Sequence, residues 1–229
     1  RLMREHDITI LRSVPSYLRI LLDEPEFPSC APPLRRVFCG AETLPPDTVE
    51  RFHRMFPQVS LHNLYGPTET TIGSTAWDCR REVRETAIPI GRPIENARVY
   101  IVDHRMRAVP PGVSGELLIG GAGVGLGYVN RVELTAEKFR RDPFADDPQA
   151  RVYCTGDRAR FRPDGALEFL GRLDDQIKVH GVRIEPGEIE AVLARHPSVR
   201  EVAIVAAEAE NGGRRIVACI VLGATGAAC

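Results

Sequence analysis

Residues 8–63 alternate short apolar runs with helices that open on proline, and this alternation narrows the possible folds more than any other feature. Ile-Thr-Ile-Leu at 8–11 reads as a buried strand. Pro15-Ser16 then opens a helix with an apolar face of Tyr17, Leu18, Ile20, Leu21 and Leu22. Prolines 25, 28, 32 and 33 mark a loop, and Arg36 to Gly40 reads as a second strand. Pro45-Pro46 opens a helix reaching about Phe56, because proline lacks only a donor that the first turn leaves free. Residues 59–63 read as a third strand. Strand, helix, strand, helix, strand predicts a parallel α/β sheet. Such sheets bind ligands beyond the carboxyl ends of their strands. Gly40-Ala41-Glu42 and Tyr65-Gly66-Pro67 fall at those ends.

From about residue 88 the texture changes. Short strands at 99–102, 115–119 and 166–170, separated by Pro/Gly turns, predict a small antiparallel sheet or a distorted barrel. Residues 131–140 read as a helix with Leu134 and Phe139 apolar. Beyond Arg172, residues 176–179 and 182–184 suit a hairpin across His180-Gly181. Residues 186–195 read as a helix whose charge order, Glu188 and Glu190 early and Arg195 late, suits the helix dipole. Strands follow at 199–205 and 216–222, with Asn211-Gly212-Gly213 as the turn between them. A domain boundary is expected at Leu173-Asp174.

The 229 residues suffice for one large domain or two smaller ones, and 43% hydrophobic against 27% charged content supplies a real core. A net charge of −1 gives no global field toward nucleic acid or membrane. The basic pairs Arg80-Arg81 and Arg140-Arg141 are short and flanked by acids, which fits a solvated surface. Cysteines at 30, 39, 79, 154, 219 and 229 form no CxxC motif and read as free thiols of a reducing cytoplasm. The sequence holds no run of about 18 apolar residues. It opens on Arg1 as though inside a helix and closes on small residues after a strand, so it reads as a piece of a longer chain.

Four stretches carry candidate chemistry. Tyr65-Gly66-Pro67-Thr68-Glu69-Thr70-Thr71 gathers a ring, hydroxyls and a carboxylate at a strand end. These types suit a base, a phosphate oxygen and magnesium, and equally suit a polar loop. Tyr153-Cys154-Thr155-Gly156-Asp157 offers an acid after a glycine in a tight turn, which fits either ribose binding or turn capping. Residues 171–190 are dense in charge yet alternate apolar side chains, as suits a surface that docks at some times and faces water at others. The glycines of 120–127 lack the helix and downstream acid of a dinucleotide loop, and lack the lysine of a phosphate-cradling loop. They read as tight backbone turns.

Taken in order, these stretches resemble the adenylate-forming superfamily, and within it the adenylation domains of nonribosomal peptide synthetases. Asn63 to Glu69 resembles NxYGPTE, Gly115-Glu116-Leu117 to Gly127-Tyr128 resembles GELxIxGxGxxxGY, Tyr153 to Asp157 resembles YxTGD, and Gly171 to Glu190 resembles GRxDxQxKxxGxRIExxEIE. Pro67 and the segment Ile88-Pro89-Ile90-Gly91-Arg92-Pro93-Ile94 favour the amino-acid-activating members over acyl-CoA ligases.

The resemblance implies a partial adenylate-forming fold: the C-terminal part of the large core over 1–173, with a parallel α/β subdomain and a small distorted barrel, then a partial small α+β domain over 174–229. It implies an amino acid attacking the α-phosphate of ATP with Mg2+ to give an adenylate, and transfer to the phosphopantetheine thiol of a carrier domain. A condensation domain is the implied further partner, in cytoplasmic secondary metabolism. By position, Tyr65 would stack on adenine with Asn63 at its amino edge and Gly66 in the turn. Thr68 would contact the α-phosphate and Glu69 would hold the metal. Asp157 would bind the ribose, with Arg172 beside it. Asp174 would be a hinge, and His180 and Gly181 would line the thiol's approach. Arg12, Val37, Cys39, Gly40, Leu64, Ile72 and Gly73 would line the amino-acid pocket. Arg12 there would favour an acidic or strongly polar substrate, or else pair with a protein carboxylate.

Two positions depart from the family pattern: Leu126 stands where arginine is usual and Arg158 where leucine is usual. The family's phosphate loop, its substrate-anchoring aspartate and its catalytic lysine have no counterpart within the 229 residues, which implies little activity for the segment alone. The alternatives are a fragment of an acyl- or aryl-CoA ligase, or one half of an interrupted adenylation domain.

Overall fold

The computed structural model describes residues 2–31, 33–79, 87–179, 182–208 and 214–223. The chain forms two compact units, Arg1–Leu173 and Asp174–Cys229. The first begins with α1 (Leu2–Glu5), β1 (Ile10–Ser13), α2 (Pro15–Asp23), α3 (Phe27–Cys30), β2 (Arg36–Gly40), α4 (Pro46–Met55) and β3 (Ser60–Tyr65). A 3-10 turn at Thr68–Thr70 leads to β4 (Thr75–Asp78) and β5 (Arg92–Pro93). The strands lie in the order β1-β2-β3-β4-β5. The first three are parallel, as the alternation predicts, and β4 and β5 add antiparallel.

The local sequence explains the helices. Pro15 sits in the first turn of α2, and Leu18 and Leu22, one turn apart, are buried. In α4, Pro46 and Asp47 open the helix, Val49 and Phe52 point inward, and His53 and Arg54 close it. These side chains pack on Val37 and Cys39 of β2 and Leu61 of β3, with Phe27, Phe56 and Val59 completing the core. Burying each large apolar side chain is worth about 1.5–3 kcal/mol.

The second half of the unit holds β6 (Ala97–Val102), β7 (Gly115–Gly121), α5 (Val132–Lys138), β8 (Phe139–Arg141), β9 (Arg151–Phe161) and β10 (Leu167–Arg172). They form an antiparallel sheet in the order β10-β9-β7-β6, with β8 paired to β9. Sequence reading missed β9, the eleven-residue strand on which this sheet is built. It placed Thr155-Gly156-Asp157 in a tight turn; they lie within β9 instead. The signal was masked because β9 carries Gly156 at φ +69 and two register irregularities. Phe139, expected on a helix, opens β8 and is buried.

In the second unit, β11 (Ile177–Val179) pairs with β12 (Val182–Ile184), and β13 (Val199–Glu208) pairs with β14 (Arg214–Leu222). Between them, α6 (Pro186–Leu193) is fastened to β13 where the Ile204 amide donates to Glu190 Oε1 at 2.8 Å. The turns expected at His180-Gly181 and at 211–213, and the Arg80-Arg81 pair, lie outside the described residues. Among the described residues no helix is long and apolar enough to cross a membrane.

Candidate functional site

The loop after β3 is compact because its backbone closes on itself. Ser74 N donates to Tyr65 O at 2.8 Å, and Ile72 N donates to Pro67 O at 3.1 Å. A side chain at Gly66 would meet Ile72 O at 2.6 Å and Ser74 N at 2.7 Å, so only glycine fits. Thr71 and Ile72 both have positive φ, 61° and 71°. For β-branched residues that conformation is strained, by about 1–3 kcal/mol each. The surroundings hold it in place. Thr71 Oγ1 donates to Gly123 O at 2.8 Å, Gly125 N donates to Glu69 O at 2.8 Å, and the Thr70 and Ser74 hydroxyls meet at 2.7 Å.

The glycine-rich stretch is thus explained in part by turning and in part by close approach. Gly121 and Gly127 have positive φ. Gly123 and Gly125 instead let the backbone lie on the 68–71 loop: a Cβ there would stand 2.9 Å from Thr70 O and 3.2 Å from Glu69 O.

Two carboxylates organise the site. The first is Asp157, 3% exposed. Opposite Leu117, β9 carries Thr155, Gly156 and Asp157 where a regular ladder would have one residue. This bulge re-aims the aspartate, a common device near functional sites. Arg172 Nη1 donates to Asp157 Oδ1 at 2.6 Å, and the Tyr65 hydroxyl donates to Oδ2. Thr155 Oγ1 accepts from Asp157 N at 2.9 Å and donates to Leu117 O at 2.7 Å, fixing the bulge. Burial first, and then the Asp157 carboxylate, push the Tyr65 phenol well above its ordinary value, so it remains a donor.

The second is Glu69, half-buried on the 3-10 turn. Its Oε1 accepts from the Tyr128 hydroxyl at 2.5 Å and the Tyr153 hydroxyl at 2.9 Å. Phe139 packs against both rings, at centroid distances of 5.4 Å and 5.1 Å. Burial, then the bond to Glu69, raise the Tyr128 phenol above its ordinary value. Arg151 spans from the Phe139 ring to the carbonyls of Gly125 and Leu126, bonding them at 2.7 Å and 3.0 Å.

Of the other nucleotide candidates, Asn63 is buried, and its Nδ2 donates to Pro89 O at 2.8 Å. That bond sets the amide orientation and directs the carboxamide oxygen away from Pro89. Thr68 is exposed at the start of the 3-10 turn. Asp174 opens the second unit and accepts from Gln176 N at 3.2 Å. His180 and Gly181 lie outside the described residues.

The expected pocket residues divide by sheet face. Parallel register aligns Arg12 with Phe38, Phe38 with His62, and Gly40 with Leu64. Side chains alternate along a strand, so these share one face, and Phe38 stacks on His62 at 5.1 Å. Arg12 is exposed there, and a Cβ on Gly40 would press on Leu64 O at 2.8 Å. Val37 and Cys39 take the opposite face and are fully enclosed beneath α2 and α4. They present no surface to a ligand, a correction to the expectation that all seven line one pocket. Burial also pushes the Cys39 and Cys79 thiols up to about 12, so neither is a nucleophile near neutrality. Ile72 is exposed and Gly73 half-buried in the strained loop.

Sequence reading quoted Tyr128 and Tyr153 inside motifs without giving them roles. Glu42, expected at a ligand-binding strand end, instead takes Ser16 N at 2.9 Å and Ser16 Oγ at 3.0 Å on its carboxylate and so tethers the start of α2 to the end of β2. A tyrosine closing the glycine stretch and another opening the next motif were the available signals.

Comparison with known proteins adds an independent line. Residues 1–129 match the AMP-binding enzyme family, and residues 188–228 match the AMP-binding enzyme C-terminal domain. The chain is 46% identical over 221 residues to tyrocidine synthase 3 of Brevibacillus parabrevis, covering 96% of this chain and 3% of that protein. It is 47% identical over 216 residues to the phosphinothricin tripeptide synthetase PhsB of Streptomyces viridochromogenes, covering 94% of this chain and 18% of that protein. The solved structure of an NRPS protein containing adenylation and PCP domains superposes with a TM-score of 0.86 at 30% identity, covering 98% of this chain and 45% of that one. The chain therefore spans a small part of these curated relatives and under half of the solved one. Its fold, its motifs and the match over more than half its length agree: the chain belongs to the AMP-binding enzyme family.

Proposed function

We propose that this segment is part of a nonribosomal peptide synthetase adenylation domain that activates an amino acid with ATP and passes it to a carrier-bound phosphopantetheine thiol. In this reading residues 1–173 are the C-terminal part of the large core and 174–229 begin the small domain, with Asp174 as the hinge and a condensation domain as a further partner. The observation that carries it is the convergence of four separated motifs on Asp157 and Glu69. The names of the relatives, peptide synthetases, point the same way.

Each side chain then has a task its surroundings suit. Tyr65, held at its hydroxyl by Asp157, offers a fixed ring on which adenine stacks. Asn63, anchored through its NH2 group, turns its oxygen toward the adenine amino group. Asp157 accepts from the ribose hydroxyls through the second lone pairs of its oxygens, and Arg172 offsets its charge. The exposed Thr68 hydroxyl meets the α-phosphate. Glu69 is a hard oxygen donor suited to Mg2+, which takes few protein carboxylates and completes its shell with phosphate and water. When bound, that ion neutralises phosphate charge during adenylation. The substrate lies against the face carrying Arg12, Gly40 and Leu64, near Ile72 and Gly73. Arg12 on that face favours an acidic or strongly polar side chain. His180 and Gly181 border the thiol's approach.

Pyrophosphate exchange by the complete protein, run across the twenty amino acids, tests this reading. Exchange is expected with a small set that includes an acidic or polar member, and Arg12→Ala should broaden that set. Exchange with fatty or aryl acids and with no amino acid would contradict it.

A further inference from the structure

Glu69 is met by two tyrosines that come from different parts of the chain. Tyr128 closes the glycine-rich stretch, and Tyr153 lies on β9. Their hydroxyls stand 2.5 Å and 2.9 Å from the same carboxylate oxygen, Oε1, and 3.2 Å from each other. Each phenol has one proton. With both directed at Glu69, the phenol–phenol contact is only an approach of two oxygens.

The surroundings hold this arrangement in place. Phe139 packs edge-on to Tyr128 and tilted against Tyr153. Thr135 Oγ1 accepts from Tyr128 N at 2.9 Å. The close backbone approach at Gly123 and Gly125 sets how far Tyr128 lies from the 68–71 loop, and Gly125 N ties itself to Glu69 O at 2.8 Å. Glu69 is therefore fixed at its backbone by the glycine stretch and at its side chain by that stretch's final tyrosine. Tyr153, only 1% exposed, supplies a donor from the rigid sheet.

We infer that Tyr128 and Tyr153 are positioning residues: their paired hydroxyls lock the Glu69 carboxylate in one orientation, so that it meets a divalent cation already aimed. This rests on the proposed role of Glu69 toward the metal. A glutamate on a short 3-10 turn has three free side-chain torsions. Two donors on one oxygen from a packed aromatic cluster remove most of that freedom before the ligand arrives.

Phenylalanine keeps the rings and the packing on Phe139 while removing the donors, so Tyr128→Phe and Tyr153→Phe isolate the hydroxyls. The readout is Mn2+ binding, followed by electron paramagnetic resonance of free Mn2+, to the complete protein with a non-hydrolysable ATP analogue. Each variant should weaken Mn2+ binding roughly ten-fold, as changes to residues that orient metal ligands do, and the pair should weaken it further. Tyr100→Phe, whose hydroxyl bonds Asp142 instead, should leave it unchanged. Circular dichroism and thermal unfolding verify that each variant folds, and Tyr128→Phe, at the less buried site, decides the matter if Tyr153→Phe does not fold. If Glu69→Gln abolishes Mn2+ binding while both phenylalanine variants bind as the unmodified protein does, the positioning inference is overturned and the metal role survives. If Glu69→Gln itself leaves binding unchanged, the metal reading fails.

Discussion

Asp157 and Glu69 are both carboxylates that accept from tyrosine, yet they are embedded in different ways. Asp157 is enclosed within a strand and pairs with the guanidinium of Arg172, itself largely covered. Glu69 sits half-buried on a strained loop and accepts from two phenols on one oxygen. A buried ion pair is costly to break, because removing one partner strands the other charge away from water. A half-buried carboxylate keeps part of its contact with water, so neutralising it costs less than breaking a buried pair. Under the proposed function, Asp157 serves architecture as much as binding, and Glu69 serves chiefly chemistry.

The largest expected effect follows from that difference. Asp157→Ala removes the carboxylate that Arg172 Nη1 bonds and the acceptor for Tyr65. Breaking a buried pair costs about 3–5 kcal/mol, and the partial exposure of Arg172 puts the expected loss near the lower end, about 3 kcal/mol. Urea unfolding of the chain would measure it. A loss no greater than that of Glu69→Gln would erase the distinction.

A smaller effect sharpens the other side. Gly123→Ala puts a methyl group 2.9 Å from Thr70 O, so the glycine stretch must lift off the loop. Overpacking of this kind costs about 1–3 kcal/mol. Gly73→Ala, with open space around it, serves as the near-neutral control in the same urea titration. Equal midpoints for the two would show that close approach at Gly123 is not what the glycine supplies.

How much of this was legible in the sequence differs between the regions in an instructive way. The parallel half could be read because β1, β2 and β3 are short apolar runs and α2 and α4 open on proline, signals that act locally. The resemblance pointed to Asp157 and Glu69 as carboxylates of interest. β9 could not be read, because its bulge at Thr155-Gly156-Asp157 mimics a turn. The tyrosine pair on Glu69 was also hidden: the contacts span 59 and 84 residues, and no spacing rule reports a contact made through the folded sheet. Periodicity likewise did not show that Val37 and Cys39 face the helices while Arg12 and Leu64 take the other side. That division depends on strand register, which only the folded sheet fixes.

The central claim is that the loop at Glu69 belongs to a nucleotide site whose chemistry depends on that one carboxylate. Amino-acid-dependent pyrophosphate exchange by the complete protein carrying Glu69→Gln, measured as Mg2+ is varied, tests it most directly. A folded variant whose exchange is lower by about 100-fold or more is the predicted result, in the range for removal of a group that stabilises developing charge. Exchange within two-fold of the unmodified protein at every Mg2+ concentration would contradict it.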